Sequence, residues 1–161
     1  MSLTQRPLLR GGRALEPSLG GRIVKRAPAH EPPEASRVKA VNIAYYKALS
    51  ARDMCAMEKV WTCASDNILI APPINPRTHV GWTAIKRNWE VYWPTFDKFS
   101  VSMTVTAVNI NGPVAWVHGI ETSHRRTKTG DVSSSRNYGT NIFVKHEGRW
   151  LMAFHQSALI P

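Results

Sequence analysis

Apolar residues recur along this chain at two different periods, and the switch between them organises it. Val38, Val41, Tyr45, Ala48 and Leu49 fall three or four apart, which predicts a helix over 35–51. Asp53 is placed to cap a second, short helix with Met57, Val60, Trp61 and Ala64 on one side. An apolar run at 66–71 reads as a strand and stops at Pro72-Pro73, and a loop is expected from there to Gly81. Ile85, Trp89, Tyr92 and Trp93 place a third helix over 83–93, which Pro94 ends. From Phe99 onward the period is two. Residues 101–108 and 114–122 alternate about a turn at Asn111-Gly112, and Gly130-Asp131 marks a second turn. Two further strands, 133–145 and 149–157, join at His146-Glu147-Gly148. Three helices followed by an antiparallel meander is an α+β pattern, in which the helices must cover one face of the sheet.

Residues 1–36 show neither period. They hold five Pro and four Gly and no aromatic residue, and cannot bury enough surface to offset their ordering entropy. They read as a basic tail ahead of a domain at 37–161. The first thirty residues are Arg-rich and nearly free of acid, as in a mitochondrial transit peptide, although the glycines interrupt any amphipathic helix. The cytoplasm is the expected compartment, with the mitochondrial matrix as the alternative.

A length of 161 residues suits one domain with a real core. No apolar run approaches the roughly 20 residues of a membrane-spanning helix. The formal charge of +10 at first suggests a nucleic-acid partner. Divided along the chain it is +3 on the tail (six Arg/Lys less three Glu) and +7 on the remainder (15 less 8), so the excess is spread out. The run His124-Arg125-Arg126-Thr127-Lys128 is either an electrostatic docking patch or a solvated hairpin. Residues 136–143 superficially resemble an RNA-binding strand motif, but Asn137 and Thr140 stand where a Gly and a stacking aromatic are needed. Nucleic acid is thus expected only through non-specific charge. Cys55 and Cys63, eight apart in a helical stretch, would lie about 12 Å apart along the axis, too far for a disulfide. Neither metal-ligand spacing nor a nucleotide-binding glycine motif occurs, so no metal and no cofactor is expected.

Several short phrases, in order, carry a resemblance. They are Tyr45-Tyr46-Lys47-Ala48-Leu49 with Arg52-Asp53-Met54, Val80-Gly81-Trp82-Thr83-Ala84-Ile85 with Trp89, and Ala115-Trp116-Val117 with Glu121. Thr140-Asn141-Ile142-Phe143 and Gly148-Arg149-Trp150, ending at His155, complete the set. Over about 37–161 the chain resembles the SnoaL-like group of the nuclear-transport-factor-two-like, or ketosteroid-isomerase-like, superfamily. The resemblance implies a cone in which a curved sheet wraps a long helix and leaves an apolar cavity. It implies either a small-molecule isomerase, cyclase or dehydratase, or a member that only binds or assembles.

The chemistry usual in such a fold needs a carboxylate or His as base in an apolar cavity and a hydrogen-bond donor for the developing oxyanion. Asp53 is accounted for as a cap. Glu121 falls in phase with Ala115, Val117 and Gly119, and so points either into the cavity or to the sheet's solvent face. His155 is read in phase with Leu151 and Ala153, His118 falls on the face opposite Glu121, and His79 sits in the loop before Gly81. Glu121, His155, His118 and His79 are the catalytic candidates. Tyr45, Trp61, Trp89, Trp93, Trp116 and Asn141 are the candidate pocket residues, although core packing accounts equally for most of the aromatics. Two functions follow. One is a small-molecule-binding domain that transfers protons on an apolar ligand. The alternative is a non-catalytic module, a homodimer or accessory subunit, that docks on partners through its sheet face and tail.

Overall fold

The computed structural model describes residues 33–71 and 75–161. Most of the expected tail lies outside the described residues, and residues 33–36 already belong to the first helix. Helix α1 spans Pro33–Ala51. Proline is tolerated in its first turn, where the missing N–H has no helical partner to lose. The helix stops at Arg52, whose backbone enters the left-handed region (φ 57°). There the Arg52 and Asp53 N–H groups close on the carbonyls of Leu49 and Ala48. Asp53 caps α2 (Met54–Val60) as the sequence predicts, accepting the Ala56 N–H at 3.0 Å.

Strand β1 covers Ile68–Ala71. Asn75–Val80, expected as loop, form strand β2 beside it. That strand is an edge, which needs no apolar alternation and admits Pro76. Gly81 then turns the chain at φ 85° into α3 (Trp82–Tyr92), and a single 3₁₀ turn at Trp93–Thr95 leads into β3 (Phe96–Asn111). The meander continues through β4 (Val114–Thr127), β5 (Val132–His146) and β6 (Arg149–Leu159).

The six strands form one unclosed sheet in the order β2-β1-β6-β5-β4-β3. Only β1 and β6 run parallel. Helix α1 lies across β3, β4 and β6 on the inner face. Tyr45, Met57, Trp61, Ile85, Phe143 and Met152 are fully buried between the layers. Trp61, Trp82, Trp89 and Trp93 continue this core ring against ring, with centroids 5.7–6.2 Å apart. The α+β cone expected from the sequence is present.

Bulges bend this sheet. In β6, Phe154 pairs with Ile142 and Met152 with Phe143, so Ala153 is an extra residue. The extra residue changes which face the strand presents. Trp150 and Met152 are buried before the bulge, and His155 and Ser157 are buried after it. His155 therefore does not share a face with Leu151 and Ala153, as uninterrupted alternation would require. A second bulge, between Val105 and Ala107, brings β3 close over β4.

Gly119 and Gly139 pair across β4 and β5 under that crossing. A Cβ at Gly119 would overlap the Thr104 carbonyl oxygen. Gly119→Ala should therefore lower stability by about 1–3 kcal/mol in urea unfolding, whereas Thr122→Ala on the outer face should change it by no more than about 0.5 kcal/mol. Equal effects of the two substitutions would contradict the close approach.

Candidate active site

Alternation along β4 turns Glu121, Ser123 and Arg125 toward the inner face. On β5 it does the same for Asn137, Gly139 and Asn141, and on β6 for His155 and Ser157. The register sets Asn137 opposite Glu121 and His155 opposite Asn141. From above, α1 contributes Asn42 and Tyr46, four residues apart and so on one helical face. The result is a polar cluster inside an otherwise apolar core.

Glu121 lies at its centre and is only 2% exposed. Its Oε1 accepts the Tyr46 hydroxyl at 2.6 Å, and its Oε2 accepts the Ser157 hydroxyl at 2.5 Å. Asn141 donates to Asn42 Oδ1 at 2.7 Å and to the Tyr46 oxygen at 3.1 Å. Its amide oxygen must then accept, and the atom facing it is His155 Nδ1 at 2.6 Å. That contact fixes Nδ1 as the protonated nitrogen of a neutral imidazole and leaves Nε2 bare. Nε2 lies 3.8 Å from Glu121 Oε1. A proton brought to this corner meets two bases side by side, a carboxylate and an imidazole nitrogen. Gly139 makes room for them, since a Cβ there would lie 2.8 Å from the Glu121 carboxyl carbon.

Burial sets the protonation of the rest. Desolvation pushes the His155 pKa down, and the neighbouring Glu121 carboxylate only partly opposes it. Desolvation first, and Glu121 second, push Tyr46 well above the ordinary tyrosine range, so it stays a hydrogen-bond donor. Tyr45 is raised in the same way and packs against His155, ring centroids 5.1 Å apart.

A cavity of about 30 Å³ adjoins the cluster, bordered by Glu121, Ser123, Arg125, Asn137, His155 and Ser157 on its polar side. Leu49, Ala71 and Val101 close its apolar side. That volume holds a water molecule or one functional group of a ligand. Arg125 also lines an open groove of about 490 Å³ with Lys98, Phe99, His124 and Val132. The arginine stands at the junction of cavity and groove. A larger groove, about 510 Å³, runs between α1, α2 and the β5–β6 turn. It carries Arg37, Lys59 and Arg149 over an apolar floor, with no acid–base pair, so the reactive groups belong to the smaller cavity.

The other sequence candidates lie elsewhere. His118 is on the outer face, with Nδ1 3.1 Å from Thr140 Oγ1 and its ring stacked on Tyr138. His79 pairs with Leu69 at the β2 edge and does not border the cavity. Burial first, then Arg77, lowers its pKa. Trp61, Trp89 and Trp93 are core residues, and Trp116, 39% exposed, faces outward. Asn141 is buried in the cluster. Sequence reasoning singled out Glu121, His155 and Asn141, and the structure brings these three together. It overlooked Asn42, Tyr46, Ser123, Asn137 and Ser157 as site residues. Spacing signalled them all the same: Asn42 and Tyr46 are i,i+4 on the buried side of α1, and the others are in phase with Glu121 or His155, or opposite them.

His155 and His79 both have lowered pKa values, so the folded protein binds fewer protons than the unfolded chain below about pH 6.5. Their contribution to stability is complete above that pH and is lost as pH falls toward the folded pKa values. His155→Gln should flatten the decline by up to about 1.4 kcal/mol per pH unit in urea unfolding between about pH 5 and 7. An unchanged slope would show that His155 is not held neutral.

The SnoaL-like domain family matches residues 38–161. No curated protein matches the chain. Among solved structures, a ketosteroid isomerase-like protein from Erwinia carotovora atroseptica is 22% identical, with a TM-score of 0.65 over 80% of this chain and 98% of that one. A Streptomyces avermitilis protein assigned as a dehydratase of the NTF2-like family is 16% identical, with a TM-score of 0.69 over 81% and 99%. A Xanthomonas campestris protein assigned as a calcium/calmodulin-dependent protein kinase II association domain is 21% identical, with a TM-score of 0.62 over 77% and 86%. At these identities the structures establish a common fold and no more. With the family match covering all but the first 37 residues, the chain belongs to the SnoaL-like domain family.

Proposed function

We propose that this SnoaL-like domain binds a small molecule and transfers a proton on it, in the manner of an isomerase, cyclase or dehydratase. One observation carries the reading: a carboxylate and an imidazole nitrogen without a proton lie 3.8 Å apart, both almost fully buried, beside a cavity. Glu121 is the general base. Tyr46 and Ser157 hold its two oxygens in place, and Asn141 keeps the basic nitrogen of His155 turned toward it. A carbon-bound proton taken by Glu121 can be returned at a neighbouring atom by Glu121 or His155, which is the net change in an allylic isomerisation. Only the reacting end of the ligand needs to enter the cavity, and the groove beyond Arg125 has room for its body. The dehydratase and ketosteroid isomerase-like assignments of two proteins of this fold agree with such chemistry.

Exchange of carbon-bound protons for deuterium reads the step without knowledge of the product. Incubated in D2O with a panel of ketones, 1,3-dicarbonyl compounds and enones, the protein should exchange α-protons of at least one, followed by proton NMR. Glu121→Gln should slow that exchange at least about 100-fold while the protein remains folded. Exchange that is equal in the two proteins, or absent with every compound, would refute the proposal.

A second reading has its own observation. The outer face of the sheet exposes Trp116, Ile110, Tyr138 and Leu159, and the register places Ile120, Tyr138 and Ala158 side by side across β4, β5 and β6. Such a face suits a homodimer or a protein partner, and the Xanthomonas association-domain assignment agrees with an assembling role. Light scattering should show a dimer that Tyr138→Glu converts to a monomer. A monomeric starting protein would remove this reading.

A further inference from the structure

Two polar atoms at the cavity are shut off from solvent and meet no partner among the described residues: Arg125 Nε, a donor, and Asn137 Oδ1, an acceptor. Asn137 is 95% buried (5% exposed). Its neighbours in the cavity are satisfied, since Glu121, His155 and Ser157 bond within the cluster and Ser123 bonds Ser135 at 2.8 Å. Leaving a buried donor and a buried acceptor unpaired is costly, and the cost is recovered when a ligand supplies the complement of each. The complement is specific. It must accept a hydrogen bond at Arg125 and donate one at Asn137.

Charge narrows it further. The Arg125 guanidinium makes one long bond, Nη2 to Ser135 Oγ at 3.4 Å, and forms no ion pair among the described residues. The groove outside adds Lys98, His124 and Arg126, and Arg126 is the one of these paired with an acid, Asp97. The mouth is thus cationic, and Glu121 is the acid that borders the cavity. Glu121 lies four residues from Arg125 along β4, about 13 Å of strand, so an anion at the mouth is well separated from it. An arginine with its Nε edge free matches the planar fork of a carboxylate. Phe99, Val132, Leu49 and Val101 supply apolar walls.

We infer that the ligand of this site is a small hydroxy acid with an apolar body, its carboxylate held by Arg125 at the mouth and its hydroxyl donated to Asn137 Oδ1 further in. The carbon between the two groups is the part directed toward Glu121. This inference rests on the proton-transfer reading for its chemistry, and recognition can be measured separately. It also gives the basic run His124–Lys128 a task, the attraction of an anionic small molecule to the cavity mouth.

Three probes isolate the terms: mandelate, which has body, hydroxyl and carboxylate; mandelamide, which lacks the charge; and phenylacetate, which lacks the hydroxyl. In calorimetric titrations of the full chain, mandelate should bind at least about tenfold more tightly than mandelamide, and more tightly than phenylacetate. Arg125→Gln should cost mandelate at least about tenfold and leave mandelamide unchanged. Arg125→Lys, which keeps the charge and loses the fork, should lie between, and a thermal melt of each variant shows whether it is folded. Lys128→Gln, away from the cavity, should bind mandelate as the parent does. Equal binding of mandelate and mandelamide, no loss in the folded Arg125 variants, or no binding of mandelate at millimolar concentration would overturn the inference. Failure of the two readings is distinguishable. If Glu121→Gln stops deuterium exchange while carboxylates are not preferred, the ligand class falls and proton transfer stands. If Arg125 selects mandelate while Glu121→Gln changes nothing, the reverse holds.

Discussion

A carboxylate that is 2% exposed is the constraint around which this domain is arranged. Removing such a group from water costs several kcal/mol unless hydrogen bonds replace the lost hydration. Four elements supply or permit those bonds. Helix α1 delivers Tyr46, and Asn42 one turn earlier. Strand β6 delivers Ser157 and His155, but only because the bulge at Ala153 resets its alternation. Strand β5 supplies Asn141 and, at Gly139, the empty volume into which the Glu121 side chain fits. The close approach of β3 at Gly119 brings Met103 over the same corner, where its sulfur meets Asn42 and Tyr46. Each feature looks like a local irregularity until it is seen as accommodation of one charge.

The elements themselves were largely legible in the sequence, because hydrophobic period is a local property. The helices at 33–51, 54–60 and 82–92 and the four long strands fall within a few residues of where the spacing of Val, Trp and Tyr places them. What the pattern could not show depends on chain segments far apart. Strand β2 carries no alternation because its edge position relaxes the requirement. The bulge at Ala153 leaves no compositional mark, so the phase of His155 was misread even though the residue itself was picked out. The partners of Glu121 lie 36 to 75 residues away along the chain, and only the register brings Ser157 and Tyr46 to it. The tryptophans look the same in sequence whether they line a pocket or fill a core. Here Trp61, Trp89 and Trp93 fill the core, and the space left beside the cluster measures only about 30 Å³.

Charge takes on a different meaning in three dimensions. Spread along the sequence, the +7 of residues 37–161 suggests weak attraction to any polyanion. In the fold, Arg126 is neutralised by Asp97, Lys86 by Glu58, and Lys145 and Arg37 share Glu34. These surface pairs contribute little to stability individually. Their effect is to leave Arg125, at the junction of cavity and groove, as a cation with no acid beside it. A domain whose reactive acid is buried behind an unpaired arginine is organised to admit an anion end-on.

The account turns on the protonation of one imidazole. Nitrogen-15 NMR of His155 at neutral pH reports directly which ring nitrogen carries hydrogen. The structure predicts a neutral ring protonated at Nδ1, bonded to Asn141, with Nε2 free and facing Glu121. A ring protonated at Nε2, or an imidazolium at pH 7, would mean that the base pair at the cavity does not exist in the form described.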